Sequence, residues 1–317
     1  MRVIEAAKGE KDMNIYIIKG SDIYDVTKLS SGISWSYDLD TLAATLSVSV
    51  SSGIFGVGDK IILKHGSREV YRGVIVGESG RHTKGFSCMD LGWYLNKNEV
   101  IVQFKKSTVY DAIIHLCNKF SIPVELPANL KIVKVTKIYK DVGVGDILKE
   151  LLEMATLTTN NKYYMRMFGK VLAVRTFHRE PIKISGVGLD YSLGRSIEDM
   201  SNKIIIVSSE ENNKRVFAEA KDDKSIKNFG LLQTIESAEA EDVSKAKNIA
   251  KLKLKELNKI TEDISFPCLG NFDIVAGRRV IVSNPELKGE YLVKGVTHNY
   301  KNDNNYFCDL TVERWGV

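Results

Sequence analysis

Apolar and hydroxyl residues alternate with period two along Ala44-Thr45-Leu46-Ser47-Val48-Ser49-Val50. That is the signature of a half-buried strand. Asn14–Ile18 and Ile33–Tyr37 also read as strands. A larger pattern then occurs twice. The first copy runs Gly58-Asp59-Lys60-Ile61-Ile62-Leu63, Tyr71-Arg72-Gly73-Val74-Ile75-Val76 and Phe86-Ser87-Cys88-Met89-Asp90-Leu91. The second runs Gly277-Arg278-Arg279-Val280-Ile281-Val282, Tyr291-Leu292-Val293-Lys294-Gly295-Val296 and Tyr306-Phe307-Cys308-Asp309-Leu310. The offset is 219 residues at the opening glycines and 220 at the cysteines. Each copy predicts three short strands parted by turn residues, so the chain is expected to carry duplicated β-domains. Cys88 and Cys308 are expected at equivalent, buried positions.

Strand parity splits these residues between two faces. Ile61 and Leu63 share one face, as do Val280 and Val282, while Ile62 and Ile281 point the other way. A second apolar face either covers another surface or belongs to a two-sheet sandwich, and the pattern alone does not choose. Ile62 and Ile281 are therefore the candidate residues for contact with another subunit or a tube.

Between the copies the period changes. Val109, Ala112, Ile113, Leu116, Cys117 and Phe120 fall at helical spacing, with Thr108 as cap, Asp111 in the first turn and Ile122-Pro123 as the stop. Val144, Ile147, Leu148, Leu151, Leu152 and Ala155 repeat that stripe, a smaller echo of the first helix. A basic strand, 131–139, lies between them, and a hairpin of 163–168 with 171–175 follows. Ile182–Ile184 and Lys203–Val207 resume the strands. Charged residues then predict an insertion, with a helix from about Ala238 to Ile260 whose Glu239, Glu241 and Asp242 lead and whose lysines follow. Those lysines read as a solvated face, since no aromatics interleave them. The expected domains are a first β-barrel at 1–104 and a small α+β domain at 105–180. A second barrel, 181–212 and 262–317, is interrupted by a strand-helix insertion at 213–261.

Composition narrows the function classes. Among 317 residues, 44% are hydrophobic and 27% charged, as in an ordinary globular protein, and the net charge is only +5. Neither figure marks a dedicated nucleic-acid binder. Cys88, Cys117, Cys268 and Cys308 form no metal or redox motif, and free buried thiols are expected. The histidines at 65, 82, 115, 178 and 298 are scattered, His298 being the one expected to be packed and hydrogen-bonded. Gly53, Gly56 and Gly58 have the wrong spacing for a dinucleotide, and Gly186-Val187-Gly188 is a lone GxG. Asp22/Asp25 and Asp222/Asp223 sit in polar loops. No catalytic, cofactor or metal constellation is expected. The first residues lack the apolar run of a signal peptide, and no stretch predicts a membrane helix.

The order of these motifs resembles a known family. A Gly-Asp-x-Ile-x-Leu strand and an aromatic-x-Gly-x-Val strand precede a Thr-Val-x-Asp helix. The chain closes on Gly289-Glu290-Tyr291-Leu292-Val293, Gly295-Val296-Thr297-His298 and a Tyr-Phe-Cys-Asp-Leu strand. This is similar to the baseplate hubs of contractile phage tails, in the late-control-protein-D group. Its nearest likeness is to XkdQ-like hubs of PBSX-type prophages and phage-tail-like bacteriocins. The resemblance implies a mainly β, α+β fold with two tail-tube-like antiparallel β-barrels or sandwiches. It implies a structural, non-enzymatic homotrimer that joins a hexameric tail tube protein to a trimeric spike protein, beside other baseplate or LysM-containing tail proteins. Assembly in the bacterial cytoplasm and release of the particle by lysis would follow, with neither membrane nor sequence-specific nucleic acid as partner. The chain closes at Val317 just after the last strand, so no appended wall hydrolase is expected. A glycan-binding β-protein and a cell-wall hydrolase are the alternatives from other classes.

Overall fold

Seven strands build the first module: β1 (Met13–Lys19), β2 (Asp22–Asp25), β3 (Ser30–Asp38), β4 (Thr45–Val50), β5 (Lys60–His65), β6 (Arg68–Ser79) and β7 (Lys84–Asp90). They pair antiparallel throughout, in the order β3-β4-β7-β6-β5-β1-β2. The alternation at 44–50 holds: Leu46, Val48 and Val50 are buried against Ile15, Ile17, Trp35, Ile61, Leu63 and Phe86. This computed structural model describes residues 13–51, 53–177, 180–184, 191–208, 215–238, 246–302 and 305–315. His178, Gly186 to Gly188, Glu239, Glu241 and Asp242 lie outside the described residues.

The middle region holds α1 (Gly92–Lys97), β8 (Glu99–Thr108), α2 (Val109–Asn118), β9 (Val124–Glu125), β10 (Lys134–Gly143), α3 (Val144–Thr159), β11 (Tyr163–Phe168) and β12 (Val171–Thr176). Lys131 and Ile132, expected to begin the basic strand, belong to a 3-10 turn over Ala128–Ile132 instead, and the strand starts at Lys134. Thr108 caps α2, its Oγ1 accepting from the Asp111 N–H at 2.9 Å. α3 outruns the expected stripe and ends at Asn160, whose φ of 56° is left-handed. The echo between the two helices extends into the strands before them. β8 and β10 pair antiparallel, and Val102 faces Tyr139 as Phe104 faces Lys137. Each strand carries one bulge, with Lys106 (φ 53°) and Asp141 (φ 54°) at matching places 35 residues apart. The Val109 N–H donates to the Val133 carbonyl and the Val144 N–H to the Asn98 carbonyl, both at 2.9 Å. This strand-helix pair is thus a pseudo-two-fold duplication, its core filled by both helical stripes with Phe104 and Tyr139.

After β13 (Ile182–Ile184) the chain forms a separate compact unit, 192–264. It contains β14 (Ser192–Ser196), β15 (Lys203–Ser208), β16 (Val216–Lys221), α4 (Asp223–Phe229), β17 (Gln233–Ala238) and α5 (Ala246–Leu257). The strand at 203–208, expected within the second barrel, has β16 and β17 as its ladder partners. Ala238, expected to begin a helix, ends β17 opposite Ser208, and the helix starts at Ala246 among the described residues. The sequence reading missed α4, which Asp222 caps by accepting from the Lys224 and Ser225 N–H groups.

β18 (Thr261–Leu269) leads back to β19 (Arg279–Val282), β20 (Gly289–Asn302) and β21 (Asn305–Arg314). β19, β20 and β21 form an antiparallel meander like β5, β6 and β7. The equivalence can be read bond by bond. Gly58 N–H donates to Ile75 O and Ile75 N–H to Asp59 O; Gly277 N–H donates to Val293 O and Val293 N–H to Arg278 O. Both glycines have positive φ, 94° and 85°. A bulge follows Ile75 in one copy and Val293 in the other. Ile61 pairs with Gly73 as Val280 pairs with Tyr291, and Leu63 pairs with Tyr71 as Val282 pairs with Gly289. The two same-face positions of the middle strand thus hold one Tyr and one Gly in either order. Each buried Tyr side chain reaches over its glycine neighbour.

This register corrects one expectation. Cys88 pairs with Ile75, whereas the residue opposite Val293 is Val312. Cys308 is opposite His298, nearer the hairpin tip. Both cysteines are buried, as expected, but they are not equivalent. The second hairpin is longer, and matching Cys88 to Cys308 in the sequence hid its extra residues.

The copies are also joined. β20 ladders with β3 from Gly295↔Asp38 to Tyr300↔Ile33, so a single sheet runs through both modules.

Candidate functional site

Ile62 lies on β5 between Tyr16 of β1 and Arg72 of β6; Ile281 lies on β19 between Lys183 of β13 and Glu290 of β20. An ion pair brackets each isoleucine. Arg72 grips Glu69 through two contacts, 2.8 and 2.5 Å, and Arg279 meets Glu290 at 2.7 Å. The two positions differ in exposure. Ile62 is 7% exposed on the single chain, while Ile281 is partly exposed.

The seam between modules carries a second cluster, which is buried. Trp35 of β3 stacks on His298 of β20, with ring centroids 4.7 Å apart and planes within 4°. Tyr306 and Phe272 continue the stack, 4.7 Å from one another. Such ring pairs each add about 0.5–1.5 kcal/mol beyond the area they bury. His298 is 1% exposed, and its Nδ1 meets Tyr306 Oη at 2.8 Å and Cys308 Sγ at 3.1 Å. Its Nε2 has no hydrogen-bond partner among the described residues. The expected hydrogen-bonded packing histidine is found, but its cysteine neighbours were not legible. Gly270 N–H donates to Tyr306 O at 2.9 Å. Two residues further along each strand, Cys268 faces Cys308, and its thiol hydrogen-bonds to Cys308 Sγ. That bond, with help from His298, draws the Cys308 thiol down against the push of burial. The same bond and burial push Cys268 up. Cys88 and Cys117, buried singly, are pushed up to about 12.

One carboxyl is also buried. Asp90, at the end of β7, is 4% exposed. Burial pushes it up to about 7, and backbone N–H groups of Ala44 and Gly92 only partly offset that. Asp90 lines a small cavity with Tyr37, Thr41, Tyr164 and Arg166. Among the described residues, no group of three or more His, Cys, Asp or Glu side chains is arranged to hold a metal. No helix among them is long and apolar enough to cross a membrane.

Comparison with known proteins now bears on this duplicated sheet. The YQBQ-like family model matches residues 33–313, from within β3 through nearly all of β21. The chain belongs to the YQBQ-like family. A curated relative, the phage-like element PBSX protein XkdQ of Bacillus subtilis strain 168, is 25% identical over 269 residues. The match covers 81% of this chain and 82% of XkdQ. Two solved folds are similar over nearly the whole YQBQ-like chain. The tail protein from Neisseria meningitidis MC58 has a TM-score of 0.71 at 14% identity, covering 96% and 97% of the two chains. The 43 kDa tail protein of prophage MuSo2 from Shewanella oneidensis has a TM-score of 0.70 at 12% identity, covering 95% and 98%. The YQBQ-like chain is thus a mainly β protein with the fold of phage tail proteins.

Proposed function

We propose that the chain is the baseplate hub of a contractile phage tail or tail-like particle. In this reading each meander module belongs to a tail-tube-like barrel, and three chains form a ring. One observation carries it: the two modules match hydrogen bond by hydrogen bond at the opening glycine, the ladder and the bulge. A six-fold tube docks evenly on a three-fold partner only when each of three subunits offers two equivalent surfaces. Duplication within one chain supplies them. The tail tube protein lies on one side of this ring and the spike protein on the other, with other baseplate or LysM-containing proteins around it. The face that carries Ile281 meets a neighbouring β-domain, while Ile62 is covered within the single chain. The particle assembles in the bacterial cytoplasm and leaves by lysis, and the hub is structural with no reaction of its own.

Sedimentation of the purified chain, alone and mixed with its tube protein, tests this reading. A homotrimer that binds tube is expected. A chain that stays monomeric with tube present, and counts as six or twelve copies per particle, overturns it.

A further inference from the structure

Cys268 and Cys308 were not paired by any sequence motif, since forty residues separate them. The fold brings them together on neighbouring antiparallel strands. The Gly270-to-Tyr306 bond sets the register of β18 on β21 and places Cys268 opposite Cys308. Directly opposed residues of such a ladder have Cα atoms roughly 4.5–5.5 Å apart. A disulfide accepts Cα separations of about 4.4–6.8 Å. Both sulfurs point to the same buried face, and His298 Nδ1 lies 3.1 Å from Cys308 Sγ, where it stabilises a thiolate.

We propose that Cys268 and Cys308 form an oxidisable dithiol that closes to an intrachain disulfide, tying β18 to β21 at the module seam. The oxidant class is a small neutral two-electron acceptor, exemplified by a diazene. The Cys308 thiolate adds to the N=N bond and forms an S–N bond. The Cys268 sulfur, losing its proton, then attacks Cys308 Sγ, and the S–N bond breaks. Both electrons and both protons end on the diazene, which leaves as the hydrazine. The other two thiols are built-in controls. Cys88 lies opposite Leu46 and Ile75, and Cys117 packs on α2 among apolar residues.

The test treats the folded full chain with diamide and reads intact mass and a non-reduced peptide digest. The expected result is the loss of two hydrogens, a Cys268–Cys308 linked peptide, and Cys88 and Cys117 still free. A higher melting temperature for the oxidised chain, reversed by dithiothreitol, is expected with it. Cys268→Ser, checked for native circular dichroism, loses the two-hydrogen change. Four free thiols after treatment, or a link that uses Cys88 or Cys117, overturns the proposal. The wild-type mass alone decides the matter if the variant does not fold.

Discussion

Asp90 shows how one buried group makes a whole fold pH-dependent. Its carboxyl titrates near the usual value of 3.8 when exposed and at about 7 in the folded chain. The native state therefore holds the proton more tightly than the unfolded state. The stability this gives is complete below the unfolded value and is lost as pH rises through about 7. The shift corresponds to a loss on the order of 4 kcal/mol between pH 4 and pH 8. Asp90→Asn is expected to flatten that slope, because the amide does not ionise and its oxygen still accepts from Gly92. Urea titrations of both proteins across this pH range check it, and parallel slopes would rule the assignment out. Nothing in the sequence marked Asp90. The sequence places it in the third strand of the first copy, and its burial depends on residues distant in the chain, Tyr37, Tyr71 and Ala44 among them. The Cys268–Cys308 pairing was hidden for the same reason. His298 was legible as a packed residue from its place beside the last strand pair, but its partners come from β3 and β21.

At the scale of elements, local pattern carried most of the reading. Both helical stripes, the Thr108 cap and the hairpin at 163–176 follow from spacing and turn chemistry within each segment. Errors arose where a ladder decides. Ala238 extends a strand instead of opening a helix because β15 offers it an edge, and the third strands fell out of register because hairpin length is invisible to a matched motif. The opening glycines test the corrected equivalence. Gly58 and Gly277 share positive φ and the same hydrogen bond, but their surroundings differ. A Cβ on Gly58 would meet nothing within 4 Å, whereas one on Gly277 would lie 2.7 Å from the Tyr164 ring. Gly58→Ala is expected to cost about 1–2 kcal/mol, from backbone strain alone. Gly277→Ala is expected to cost about 2–4 kcal/mol, since the ring must move as well. Equal losses in chemical denaturation would show that Tyr164 yields freely.

For the whole molecule, exposure separates two variants that parity treats alike. Ile62 is already covered on the single chain, so Ile62→Asp is expected to destabilise the fold by several kcal/mol whatever the ring does. Ile281 is partly exposed, and Ile281→Asp is expected to leave the free chain folded while weakening trimer and tube association. Circular dichroism paired with sedimentation distinguishes these outcomes. Unaltered assembly of Ile281→Asp would remove that face from the interface. The duplication was legible in the sequence, but its joining was not. Strand β20 runs beside β21 for most of its length, with β19 along its first residues and β3 along its last. Engineers would recognise a lap joint. A force that slides one module past the other along the strand axis strains six cross-strand pairs, Gly295↔Asp38 through Tyr300↔Ile33, all at once. They must give way together and cannot be peeled singly, so the seam resists shear far better than it resists unzipping from one end.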